Sequence, residues 1–574
     1  MTADRAERVG RRILVAACSS ATVFLLSGCL VGEVVAEPVP RVQRNGSIAQ
    51  LMVDGKPWIA LAGEVHNSTA SSASYMSPVW DRLAALNLNT VILPAYWELI
   101  EPEEGRYNFS VLDEHIRRAR EHELRIILLW FGTIKNGKST YAPAWVREDQ
   151  SRFTRAVMRP SSLPFAKGEL PISMFNDAAA AADSRAFASL MGHLAASDAQ
   201  HTVIAVQVEN ETGVLGDSRD RSPAADKAWK AQVPPALMTH LAKNKGSLAP
   251  TVKALWARNG YRMSGTWSQV FGDDWQADEV FMAWGVSRFI EKVAAAGKKR
   301  LPLPMYANAW IGPQKPEESA GAYPSGGPVP RVFDVWRAGA PSLDWLSPDI
   351  YVDDFASWAT AYSKPEQPLL VPEARFVVGN LFDAVGRFHA AGFSPFGIED
   401  GVVGNQIAEA YGLLRGMVPV LASAQARDAI TGFALRPGEV HQATLGNYVV
   451  TVRSQREAVS KMLLDMGISI PVAAAEGRPQ NVGEHASEPS DSRPAGLILQ
   501  LDADEFLVLG RDLALSFAKK KDPGREAELA RVEEGRYVNN EWAPGRVLNG
   551  DQRLRVVPAD SFGMVKIRLL RPRP

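Results

Sequence analysis

The chain has 574 residues, 46% hydrophobic and 22% charged, so it is too long for one ordinary domain and has the composition of a folded globular protein. Its 63 basic and 64 acidic residues leave a formal net charge of −1, which offers no electrostatic footprint for nucleic acid or another polyanion. Only two cysteines occur, Cys18 and Cys29, which excludes an internal disulfide or a cysteine-ligated metal from the rest of the chain.

At the N-terminus, Arg5, Arg8, Arg11 and Arg12 precede an apolar run at 13–26. That run is too short to cross a bilayer as a helix and suits a signal-peptide core. Leu26-Ser27-Gly28-Cys29 resembles the lipobox of bacterial lipoproteins, with Cys29 as the lipidated first residue of the mature chain. Val34-Val35-Ala36 is a competing small-residue cleavage site, and Arg11-Arg12 weakly resembles a twin-arginine signal. The expectation is a signal peptide at 1–36 with its lipobox at 26–29. The protein would then be exported, periplasmic or anchored to a bacterial outer membrane, and would meet the membrane only through its lipid.

From 40 to 428, short apolar runs alternate with helical patterns, the signature of βα units. Strands are expected at 58–63, 90–94, 125–131, 203–208, 303–307, 345–351, 368–372 and 393–398, and helices at 78–86, 111–123, 184–196 and 280–295. Eight strands suggest a closed (β/α)8 TIM barrel, an α/β fold that needs about 250 residues and accepts long loops. The excess falls at 139–183 and 214–278. Beyond 429 the pattern changes to short strands and turns, the mark of a smaller β-rich C-terminal domain reaching residue 574. Within it, 473–495 is rich in Ala, Pro, Ser, Glu and Gly and reads as a mobile loop.

Barrel chemistry gathers at the C-terminal ends of the strands, and polar residues follow each of the first seven apolar runs. They are Glu64, His66 and Asn67; Trp97 and Glu98; Lys135 and Asn136; Glu209, Asn210 and Glu211; Asn308 and Trp310; 349–354; and Glu373 and Arg375. The run VIAVQVENETG at 203–213 ends an apolar strand in two carboxylates, costly to bury without a purpose. Ends of strands four and seven face each other across a barrel, which would bring Glu211 opposite Glu373. Two carboxyls about 5 Å apart cleave a glycosidic bond with retention of configuration, one as acid/base and one as nucleophile. Glu209 lies two residues before Glu211 and should share its face, as a supporting partner and not as the acid. Trp97, Trp130, Trp310, Trp336 and Trp345 near the strand ends offer flat rings for sugars, although single tryptophans are more often core residues.

These motifs resemble a known family. NTVILPAYWELIEPEEGRYNF at 89–109 resembles the second-strand signature of glycoside hydrolase family 35, the β-galactosidases; Gly63-Glu64 with His66 resembles its first-strand motif, Pro143-Ala144-Trp145 its segment after strand three, and Gln207 to Glu211 its fourth-strand motif. The resemblance implies that Asn210 contacts the sugar, that Glu211 is the acid/base, and that Glu373 in LLVPEARF is the clan A nucleophile. WFGTIKN at 130–136 departs from the family's Cys-Ala-Glu-Trp after strand three, and Pro94 stands where a tyrosine is usual. FMAW at 281–284, PLPMYANAW at 302–310 and the β-rich tail resemble the exported bacterial branch, which is associated with plant cell-wall polysaccharide use, and this resemblance implies a galactosylated oligosaccharide such as a xyloglucan fragment as substrate. The resulting expectation is a retaining exo-β-galactosidase with Glu211 and Glu373 catalytic and with Asn210, Glu64, His66, Trp97, Asn136, Trp310 and Tyr351 binding a carbohydrate substrate.

Asp349, Tyr351, Asp353 and Asp354 form an acidic cluster without a partner at metal spacing, so no metal is expected, and no phosphate loop or nucleophile elbow points to a cofactor. Two alternatives stay open: a retaining glycosidase for another β-glycoside, and a glycan-binding surface lipoprotein without activity.

Overall fold

The computed structural model describes residues 38–571 apart from 137–139, 161–169, 469–490, 492, 551–556 and 558–559. The expected signal peptide and lipobox lie outside the described residues. No described helix is long and apolar enough to cross a membrane.

A three-stranded antiparallel sheet comes first: β1 (Arg41–Asn45), β2 (Ile48–Val53) and β3 (Lys56–Trp58). Trp58 therefore belongs to this sheet and not to the first barrel strand, and its indole donates to Thr90 Oγ1 at 3.1 Å. Eight parallel strands then close a barrel in chain order: β4 (Ala60–Glu64), β5 (Thr90–Tyr96), β6 (Arg125–Lys135), β7 (Val203–Asn210), β8 (Met305–Trp310), β9 (Trp345–Ile350), β10 (Leu370–Ala374) and β11 (Gly392–Pro395). The protein is thus a TIM barrel, as the alternation of apolar runs implies. β4, β5, β7, β9, β10 and β11 are buried at every position because helices cover one face and barrel packing the other. That is why they read as continuous apolar runs and not as alternating ones.

The helices Ala73–Ala85, Asp177–Ser197 and Trp275–Lys298 are longer than their apolar patterns by up to a turn or two at the ends, where caps take over from periodicity, whereas Ser110–Glu121 nearly matches its pattern. Asn176 accepts from the Ala179 amide and Asp274 from those of Gln276 and Ala277, which starts the two longest helices upstream of their first apolar residues. The insertion after β7 folds into helices Pro223–Lys230, Pro235–Lys243 and Pro250–Arg258, each with proline in its first turn.

Beyond β12 (Ile430–Ala434) the β-rich domain forms two antiparallel sheets. β13 (His441–Leu445), β14 (Tyr448–Ser454), β17 (Leu513–Lys519) and β18 (Asp522–Glu526) make the smaller. β12, β15 (Ala495–Asp502), β16 (Glu505–Arg511), β19 (Leu529–Val538), β20 (Glu541–Val547) and β21 (Gly563–Leu569) make the larger. Alternation divides its strands between two cores. Leu497, Leu499, Leu507 and Leu509 join the barrel core, whereas Ile498, Phe506 and Val508 join Tyr448, Val450 and Phe517 between the sheets. The domain is therefore fused to the barrel through one face of a sheet. Of the expected mobile loop, 473–490 and 492 lie outside the described residues; its end is built into the fold, where Asp491 accepts from the Gly379 amide at 3.2 Å and Arg493 pairs with Asp491 at 2.8 Å.

At this seam the chains meet at van der Waals distance through glycines. A Cβ on Gly432 would stand 1.8 Å from the Phe382 carbonyl oxygen, and one on Gly386 would stand 2.4 Å from the Gly432 nitrogen. Gly432→Val should therefore destabilise the protein by about 2–3 kcal/mol, seen as a lower urea midpoint. An unchanged midpoint would show that the seam contributes little.

Candidate active site

The strand ends of the barrel converge on a cavity of about 400 Å³ lined by Lys135, Asn136, Glu211, Trp310, Gln314, Asp349, Tyr351, Val352 and Glu373. Its size falls in the lower part of the range for small-ligand sites. Six strands contribute to it or to its supports, so it is a property of the closed barrel and not of any one segment.

Glu211 follows the last residue of β7 and Glu373 lies on β10. One carboxylate oxygen of each lies within 4.8 Å of the other and of one from Asp349 on β9. Glu211 has φ of 43°, in the left-handed region, where a residue other than glycine carries strain. Its amide donates to Asn308 Oδ1 at 2.9 Å, and Asn308 Nδ2 donates in turn to Asp349 Oδ2 at 2.8 Å. Asn308 on β8 thus holds the strained turn and joins strands seven and nine. Glu373 accepts twice, from Asn210 Nδ2 at 3.2 Å and from the Tyr351 hydroxyl at 2.7 Å, which fixes its carboxylate in one orientation.

The electrostatics separate the carboxyls. Burial, and then the negative charge of Glu373, push Glu211 up to about 8; Lys135 and a hydrogen bond from Asp349 pull against that rise. Burial first and then Glu373 also raise Asp349 and Glu64 well above the ordinary carboxylate range. Lys135 stands among them with Nζ 3.5 Å from Asn210 Oδ1. Burial would lower its pKa, but the charges of Glu373, Glu211 and Glu64 outweigh it and the ammonium is raised. By distance alone Glu211, Asp349 and Glu373 could hold a cation. With an ammonium already among them and both Glu373 oxygens accepting hydrogen bonds, the donor set suits proton transfer better.

The residues expected at the site divide into three groups. Glu211, Glu373, Asn136, Trp310 and Tyr351 line the cavity. Asn210 and Glu64 are buried behind it: Asn210 orients Glu373, and Glu64 has two carboxyl oxygens without a hydrogen-bond partner among the described residues. His66 and Trp97 are elsewhere. His66 Nε2 meets Asp400 Oδ2 at 2.6 Å and its amide donates to Glu399, so it ties the first strand end to the loop after the eighth. Trp97 is fully buried, its indole donates to Glu101 Oε2 at 2.8 Å and its ring packs edge-on against Trp145, leaving no face for a sugar. Of the other tryptophans considered, Trp130, Trp336 and Trp345 are core residues.

Glu209 does not share the face of Glu211. Its φ of 62° breaks the two-residue alternation, and its carboxyl turns into the outer layer, accepting from the amides of Thr133 and Ile134 at 3.0 and 2.9 Å. Burial first, and next the charge of Asp183, raise its pKa well above the ordinary value. Asp183, on the helix Asp177–Ser197, accepts from Trp130 Nε1 and from the amide and hydroxyl of Thr133. Gly132 makes room: a Cβ there would lie 2.5 Å from Glu209 Oε1. This pair stabilises the irregular end of β6, where the register against β7 shifts between Trp130 and Lys135, and so places Lys135 and Asn136. No local sequence signal announces a helix residue pairing with a strand-end glutamate.

Comparison with known proteins follows the same division of the chain. Residues 80–271 match the family 42 glycoside hydrolase model, described as beta-galactosidase, and residues 407–557 match a domain of unknown function, DUF5597. The family 35 assignment drawn from the motifs is thereby corrected: the match in the barrel is to family 42. A beta-galactosidase of Xanthomonas manihotis is 28% identical over 183 residues, 29% of this chain and 26% of that protein. The chain thus aligns with about a quarter of that relative's length. Among solved structures, a cold-adapted beta-galactosidase from Rahnella sp. R3 has 18% identity and a TM-score of 0.42 over 64% of this chain and 57% of that one. The catalytic domain of a beta-amylase from Paenibacillus polymyxa has 12% identity and a TM-score of 0.40 over 60% of this chain and 93% of that one.

Proposed function

We propose that the protein is a glycoside hydrolase that removes terminal β-galactosyl residues with retention of configuration. The observation that carries this reading is the pair Glu211 and Glu373, facing one another within 4.8 Å, the former held near 8 and so protonated at neutral pH. Glu211 protonates the leaving glycosidic oxygen while Glu373 attacks the anomeric carbon. Glu211 then takes a proton from the water that releases the sugar. The family 42 match supports galactose as the sugar, and the small cavity at the strand ends, with Trp310 and Tyr351 on its wall, supports attack at a chain end. A galactosylated cell-wall oligosaccharide such as a xyloglucan fragment is the substrate proposed. A panel of p-nitrophenyl glycosides tests the sugar: release from the β-galactoside above all others is expected, and preference for another β-glycoside would overturn galactose while keeping the carboxylate chemistry.

The export reading rests on the N-terminal pattern of 5–29. If Cys29 carries the lipid, Cys29→Ala should abolish incorporation of labelled fatty acid and release the protein from the membrane fraction. Labelling that persists in this variant would sink the lipobox reading.

A further inference from the structure

The two-carboxylate mechanism leaves a third buried carboxyl in the site without a task. Asp349 is 1% exposed, and its Oδ2 is committed as acceptor to Asn308 Nδ2. Oδ1 is buried without any partner among the described residues, and one oxygen of the Asp349 carboxyl lies within 4.8 Å of one from Glu211 and one from Glu373. Two ionised carboxylates are acceptors only and repel at this range, so Asp349 and Glu211 can pair only with a proton on one of them. Asn308 orients Asp349 and at the same time caps the Glu211 amide, so one side chain sets the geometry of both partners.

We propose that Asp349 is a positioning residue for the acid/base group: its protonated carboxyl donates to the Glu211 carboxylate once Glu211 has given its proton to the leaving oxygen, and holds it ready for the hydrolytic step. Asp349 keeps its own proton throughout. The proton that cycles is that of Glu211, lost to the leaving group and regained from water. Burial, and next the charges of Glu373, Glu211 and Glu64, favour the neutral form of Asp349. The groups facing it are Glu64 on β4, Lys135 on β6, Glu211 after β7, Tyr306 on β8, Tyr351 after β9, Tyr362 on its outer side and Glu373 on β10. Lys135 is the one cation among them.

This inference rests on the glycosidase reading for its consequence but not for its test. Titration of Glu211 is read from the protonated-carboxyl stretch in infrared difference spectra, wild type against Glu211→Gln, in the backgrounds Asp349→Asn and Asp349→Val. Asparagine can accept from Asn308 and donate to Glu211; valine fills the space without a donor. The Glu211 midpoint should stay within about half a pH unit in Asp349→Asn and rise by about one unit or more in Asp349→Val, with the alkaline limb of kcat/KM following it. Hydrolysis of the glycosyl-enzyme should slow by about tenfold in Asp349→Val and be largely restored in Asp349→Asn. An unshifted Glu211 midpoint in a folded Asp349→Val, or in Asp349→Ala should valine not fold, overturns the proposal. A shifted midpoint in a protein that cleaves no glycoside keeps the pairing and refutes the reading of the reaction.

Discussion

Replacing Glu373 by glycine should lower kcat/KM on aryl β-galactosides by at least ~10⁴-fold, because the step that traps the sugar as a covalent intermediate is lost. The loss should be chemical and not structural. Glu373 is held by Asn210 and Tyr351, whose side chains remain, and the vacated space opens onto the cavity. Azide should therefore enter from the face that Glu373 occupied and restore turnover, with the α-galactosyl azide as product. Recovery of a β-azide, or no rescue of a folded variant, would remove Glu373 from the nucleophile role.

Glu211→Ala should separate the two chemical steps. With a poor leaving group the first step needs a proton, and loss of general acid catalysis should cost ~10²–10⁴-fold. With an activated aryl leaving group that step should survive and the intermediate should accumulate, so that azide gives the β-galactosyl azide. The pH profile follows from the sign of the shift. Glu211 is raised to about 8, so the proton it must deliver is present below that value and is lost as pH rises through it. Wild-type kcat/KM should fall on the alkaline side with a midpoint near 8, and the Glu211→Ala variant should lack that limb. An alkaline limb that persists unchanged would assign it to another group.

Much of the barrel was legible because each strand is buried on both sides and bounded by turns, so that an apolar run of a few residues marks it. The polar residues at the ends of β6, β7, β8, β9 and β10 were legible because a barrel collects them at one end, and Glu211, Glu373, Asn136, Trp310 and Tyr351 do line one cavity. What failed to show was set by the backbone and by distant partners. Alternation placed Glu209 beside Glu211, but two left-handed residues in three turn the carboxyls to opposite sides. Trp97 follows a strand like Trp310, yet helix Trp97–Ile100 folds it inward onto Glu101 and Trp145. Asp349 was visible as acidic residue among others; its link through Asn308 to Glu211 exists only when strands seven, eight and nine lie side by side. The sheet at Arg41–Trp58 escaped because β1 is almost wholly exposed and β3 has three residues.

The central claim is that two facing carboxyls cleave a glycosidic bond by double displacement, and the stereochemistry of the first product tests it most directly. Proton NMR of the anomeric region, recorded during early hydrolysis of an aryl β-galactoside, should show the β-hemiacetal appear first and the α-anomer grow in later by mutarotation. An α-anomer formed first would mean single displacement by water, which the approach of Glu211 and Glu373 to within 4.8 Å leaves little room for, and would contradict the account.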